Sequence, residues 1–166
     1  MKRLKHALLI LSLAIVTAIA QSQDQKSQTL KTFTTTDLTI SKDVAVRGDV
    51  WFADSKKAQT IRLFEVPDPQ VEDCVVTYRA RLKSEGLKEP AYLEMWCRVS
   101  GRGEFFSRGL DNPLTGSNDW ASYEIPFFLK KGEKPDLIKL NIVLKGPGKI
   151  WIKDIKLLKS PLPPEH

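Results

Sequence analysis

Histidine is almost missing from this 166-residue sequence: only His6 and His166 carry an imidazole. His6 lies in an N-terminal segment that reads as a cleaved export signal, which leaves the chain-end His166 alone. A Ser-His-Asp or Cys-His centre needs an imidazole oriented by a third group, and a terminal residue cannot supply one. The same shortage excludes zinc sites built on histidine. The chain's two cysteines, Cys74 and Cys97, cannot complete a structural tetrahedral site by themselves. No metal and no cofactor is therefore expected.

Other absences narrow the chemistry further. Gly146-Pro147-Gly148-Lys149 lacks the G-x-x-x-x-G-K-[ST] spacing of a phosphate loop and reads as a hairpin turn. Glu94, Glu104, Asp111 and Glu124 are carboxylates of the type that glycosidases pair, but no E-x-D-x-E strand motif contains them. Glu65, Asp68, Glu72 and Asp73 cluster without the D-x-D-x-D spacing of a calcium loop, and read as a solvated acidic loop. Helical signals are missing as well: the best candidate, 65–74, contains Pro67 and Pro69, which break it. No internal repeat is present.

Long apolar runs are reduced to one. Residues 7–20 are apolar apart from Ser12 and Thr17, follow the basic start Met1-Lys2-Arg3-Leu4-Lys5-His6, and end in Ala18-Ile19-Ala20. A basic start, a short apolar stretch and a small-residue end are the three parts of a secretory signal. The competing reading is an uncleaved anchor. As a helix the run reaches about 21 Å, short of the roughly 30 Å hydrocarbon core, so no stable membrane span is expected. No cysteine follows it to take a lipid. Cleavage after Ala20 removes Lys2, Arg3 and Lys5 and no acid, so the net charge falls from +6 to +3. Interspersed acids and so small a charge leave no nucleic-acid footprint. The expected location is periplasmic or secreted.

What remains is strand-forming sequence. Residues 21–29 are a polar leader, 160–166 a proline-rich tail, and 30–159 one domain. Candidate strands are 30–36, 44–52, 60–66, 74–82, 91–100, 104–108, 120–129, 137–145 and 149–158, separated by turn signals such as Arg47-Gly48-Asp49, Ser84-Glu85-Gly86 and Gly101-Arg102-Gly103. About eight to nine short strands at this spacing predict an all-β antiparallel sandwich or barrel. Ile138, Leu140, Ile142 and Leu144 share one face of their strand, and Ala121, Tyr123, Ile125, Phe127 and Leu129 share one face of theirs. Pro126 cannot donate to a ladder, which predicts an edge strand or a bulge there. Ile150 and Ile152, then Ile155 and Leu157, point inward, a change of phase that predicts a bulge at Lys153-Asp154.

Pairing 74–82 with 91–100 as a hairpin about Ser84-Glu85-Gly86 sets Cys74 opposite Cys97, Val76 opposite Met95 and Tyr78 opposite Leu93. In an exported protein that register predicts a cross-strand disulfide between Cys74 and Cys97, with two buried thiols as the alternative. The other side of the same hairpin carries Arg79, Arg81, Tyr92, Glu94 and Trp96. Aromatic rings beside hydrogen-bonding groups can stack a sugar and hold its hydroxyls. The alternative is a set of cross-strand Arg–Glu pairs with Trp96 covered. Trp51, Phe52, Trp120 and Trp151 read as core or strand-end packing.

Two stretches carry a resemblance. Gly116-Ser117-Asn118-Asp119-Trp120-Ala121-Ser122-Tyr123 and Gly146-Pro147-Gly148-Lys149-Ile150-Trp151-Ile152-Lys153-Asp154-Ile155 resemble the G-(S/T)-x-D-W-x-x-Y and G-x-G-x-(I/V)-W-(I/F/L)-x-D-(I/V) patterns of galactose-binding-like jelly-roll domains. That group includes carbohydrate-binding modules and the non-DNA-binding C-terminal domains of some AraC-type regulators. The domain also resembles exported bacterial proteins that share its L-E-M-W-C and F-S-R-G-L stretches. The resemblance implies a jelly-roll sandwich and assigns no individual ligand residue. With no DNA-binding half in this sequence, the regulator role is set aside. The expected function is a non-catalytic exported module that binds glycan or another envelope component. Its alternatives are a structural or protein-interaction module of the envelope, and an enzyme of unrecognised type.

Overall fold

The computed structural model describes residues 27–164; the expected signal 1–20, residues 21–26 of the expected leader, Glu165 and His166 lie outside them. Nine strands follow in chain order: β1 (Gln28–Thr32), β2 (Ala45–Arg47), β3 (Val50–Ser55), β4 (Gln59–Pro67), β5 (Cys74–Val99), β6 (Gly103–Arg108), β7 (Leu114–Leu129), β8 (Pro135–Leu144) and β9 (Gly148–Ser160). All their pairings are antiparallel, and no helix occurs among the described residues. The expected 44–52 strand is a hairpin instead. Gly48, at φ 66°, turns it so that Arg47 faces Val50. β1 begins at Gln28, within the expected leader.

β5 organises the molecule. Its 26 residues do not fold back at Ser84-Glu85-Gly86. The first half lies between β9 and β7, while the second half lies between β8 and β6. Two layers result: β2-β3-β9-β5-β7 with β1 also on β9, and β4-β8-β5-β6, joined through β5. Both layers send apolar side chains into one core. Val76, Tyr78, Ala80 and Leu82 come from the first half of β5, and Ala91, Leu93, Met95 and Cys97 from the second. The inward phase therefore changes from even to odd along β5, at register shifts between Leu82, Ser84, Leu87 and Ala91.

The turn signal fails because partners hold the segment extended. Ser84 faces Asn118 of β7 and Ile150 of β9. The Gly86 N–H donates to Ser117 Oγ at 2.9 Å, and Lys149 Nζ pairs with Glu85 Oε1 at 2.6 Å. Gly148 lets the β8–β9 turn press on this crossing. A Cβ there would stand 2.8 Å from Leu87 Cα, closer than side chains tolerate, and its φ is +150°.

The Cys74–Cys97 pairing is corrected accordingly. Cys74 faces Leu129, and Cys97 faces Phe105 and Ile138; both are buried free thiols. Burial, with a smaller contribution from the nearby Cys74, pushes the Cys97 thiol up to about 12. Burial likewise raises Cys74. Both are protonated at neutral pH and weak as nucleophiles.

Three local expectations hold. Ile138, Leu140, Ile142 and Leu144 are all buried in the core. β7, which contains Pro126, pairs with β5 alone and is an edge. The β9 bulge sits at Asp154, with φ 52° and a register shift opposite Arg79 and Arg81.

Candidate functional site

The outer face of the second layer brings together three of the five residues expected to bind ligand. On the second half of β5 the odd positions point into the core, so Tyr92, Glu94, Trp96 and Arg98 point outward. Register sets their neighbours: Glu94 lies between Arg108 of β6 and Asn141 of β8, and Trp96 between Phe106 and Lys139.

Glu94 is the fixed point of this face. It is only 4% exposed, yet Arg108 Nε donates to its Oε2 at 2.7 Å and Asn141 Nδ2 to its Oε1 at 3.2 Å. The nearby Trp96 indole also favours the ionised form. Burial pushes the carboxyl up, but these donors and the Arg108 charge outweigh it and hold Glu94 below the usual carboxylate range. Trp96, half-buried, packs against Phe106, with ring centroids 5.1 Å apart and planes at 51°. Phe106 is 52% exposed, and the Arg108 guanidinium lies 4.2 Å over its ring. Lys139–Glu104 and Arg98–Asp136 ion pairs, at 2.5 and 2.7 Å, border the aromatic pair. Tyr92 shares the face but is buried.

Arg79 and Arg81 are not part of this surface. They lie on the outer side of the first layer, where Arg79 Nε pairs with Glu124 Oε2 at 2.7 Å and Arg81 faces Ser122 and Lys153. The predicted five-residue platform is split because the hairpin it rested on does not form. Phe106, Arg108, Asn141 and Lys139 take the missing places. Alternation in β6 puts Glu104, Phe106 and Arg108 on one side. That was visible in the sequence, but the neighbour of β6 was not.

The arrangement suits binding better than acid–base work. A glycosidase general acid needs a raised pKa, and Glu94 is shifted the other way. No His, Cys, Asp or Glu group among the described residues could hold a metal ion. A cavity of about 510 Å³ lies elsewhere, lined by Asp68, Glu72, Asp73, Lys134, Asp136 and Lys159. Glu72 there is tied to Lys134 at 2.8 Å. Of the remaining aromatics, Trp51 is in the core, edge-on to Phe64, as expected. Phe52 and Trp151 pack on each other, 5.0 Å apart.

No protein-family model matches the chain, and no curated protein matches it. Solved structures share its fold. A CBM4 structure superposes with a TM-score of 0.52 over 78% of each chain, at 11% identity. A variant of CBM29-2, from the family 29 carbohydrate-binding modules, does so at 0.50 over 82% of this chain and 87% of its own, at 10% identity. At such identities the likeness shows the fold: the jelly-roll β-sandwich of carbohydrate-binding modules.

Proposed function

We propose that this chain is a non-catalytic module that binds glycan across Trp96 and Phe106, on the outer face of the second layer. The observation that carries the reading is an aromatic pair, one ring half open to solvent, fixed to a sheet face and ringed by ionised hydrogen-bonding groups. A pyranose has apolar C–H faces and polar edges, so it needs an aromatic plane with polar groups around it. The Glu94 network supplies preorganisation: its bonds from Arg108 of β6 and Asn141 of β8 tie three strands together beside the aromatic pair, so little freedom is lost on binding. The fold of carbohydrate-binding modules supports the same reading.

A glycan array probed with residues 21–166 tests it. Phe106→Ala should weaken binding to any neutral glycan found by about tenfold, the worth of one aromatic contact, while the melting temperature stays close to that of the parent. No neutral ligand on the array, or full binding by Phe106→Ala, would overturn the assignment. Export completes the proposal. Protein recovered outside the cytoplasm should have an intact mass beginning at Gln21, and a full-length cytoplasmic product would contradict it.

A second reading rests on the open seam between β6 and β7. Phe105 and Phe128 are exposed there beside Phe127 and Leu129. Such a patch suits a protein contact in an envelope assembly.

A further inference from the structure

The outer face of the first layer has a different character. β9 presents Lys149, Trp151 and Lys153 outward, and then Lys156. In a regular strand, residues three apart point to opposite faces. The bulge at Asp154 removes that alternation, so Lys153 and Lys156 share a side. Lys153 faces Arg81 and Lys156 faces Arg79 on the adjacent strand of β5, about 5 Å away in the pairing direction. Like charges placed directly opposite one another disfavour a sheet. Arg79 is neutralised by Glu124 at 2.7 Å. Arg81, Lys153 and Lys156 have no carboxylate partner among the described residues. Aromatic rings border this trio. Lys153 Nζ lies 4.5 Å from the Trp120 ring, and Trp151 packs on Phe52, whose other contact is the Arg47 guanidinium at 3.5 Å.

We infer that this face is a second binding surface, and that its ligand is an acidic polysaccharide. Carboxylates of a uronic acid chain pair with Arg81, Lys153 and Lys156, and the sugar rings rest beside Trp120 and Trp151. Binding relieves the repulsion among three cations that the free protein leaves uncompensated. The pattern fits a sparsely charged chain better than a nucleic acid. Duplex DNA carries a charge about every 1.7 Å, whereas Glu124, Asp119 and Glu85 interrupt the cations here, each paired to one of them. A uronic acid chain carries one carboxylate per ring, and its hydroxyls can donate to such carboxylates. This surface lies on the opposite layer from Trp96 and Phe106, so its test is independent of the neutral-glycan reading.

The experiment is a titration of residues 21–166 with oligogalacturonate, its methyl ester and single-stranded DNA. The expected result is binding of oligogalacturonate that weakens with added sodium chloride, and, in the Phe106→Ala background that removes the neutral-glycan platform, none of the methyl ester. Replacing all three cations (Arg81→Gln, Lys153→Gln, Lys156→Gln) should weaken it about tenfold, the sum of three exposed ion contacts. Phe106→Ala should leave it unchanged. Single Arg81→Gln and Lys156→Gln variants, each expected to give part of the loss, replace the triple variant should it not fold. Equal binding of the methyl ester, no binding of oligogalacturonate, tighter binding of DNA, or undiminished binding by the variants would overturn the inference.

Discussion

Replacing Glu94 with Ala is the perturbation from which the structure predicts most. The side chain is nearly sealed from solvent and accepts from Arg108 and Asn141. Removing one member of a buried charge pair costs about 3–5 kcal/mol when the survivor stays buried. Arg108 keeps about a third of its side chain exposed and can turn to water, so the lower end applies, about 3 kcal/mol. For a domain of this size that lowers the melting temperature by roughly 10 °C. The pH dependence has a definite sign. The folded-state pKa of Glu94 lies below its ordinary value of 4.5, so its contribution is complete above that value. It is lost as pH falls through the lower folded value. Thermal melts from pH 7 down into the acid range should show the parent losing more stability than Glu94→Gln over the interval below pH 4.5. A double-mutant cycle with Arg108→Ala should give a coupling of about 1–3 kcal/mol. A Glu94→Ala variant within about 0.5 kcal/mol of the parent, or parallel acid profiles for parent and Glu94→Gln, would refute the argument that this network fixes the outer face of the second layer.

Thiol labelling under denaturing, non-reducing conditions should find two free thiols, Cys74 and Cys97, and reductant should leave the melting temperature unchanged; one disulfide and no free thiol would be the contrary result. Gly148→Ala should cost about 1–3 kcal/mol, because its Cβ would collide with the Leu87 backbone at a φ that L-residues seldom adopt. Denaturant melts measure this, and an unchanged midpoint would show that the β8–β9 turn yields freely.

Local pattern alone determined a good deal about this protein. Period-two alternation assigned the inward faces of β7 and β8, Pro126 marked an edge, and the broken phase at Lys153-Asp154 located a bulge to the residue. All of these depend on side chains a few positions apart, where backbone geometry leaves little choice. Tertiary structure alone decided how strands pair. Ser84-Glu85-Gly86 can reverse a chain, but it need not. Here β9 pairs with it as far as Glu85 and β7 at Ser84, Leu87 and Ala91, and these bridges with buried Leu82, Ser84 and Leu87 keep the chain from reversing. That one choice sends the second half of β5 to the opposite layer. It takes Cys97 out of register with Cys74, parts Arg79 and Arg81 from Trp96, and gives Trp96 new neighbours in Phe106 and Lys139. Pairing energy is gained between segments far apart in sequence, so no window along the chain contains both partners.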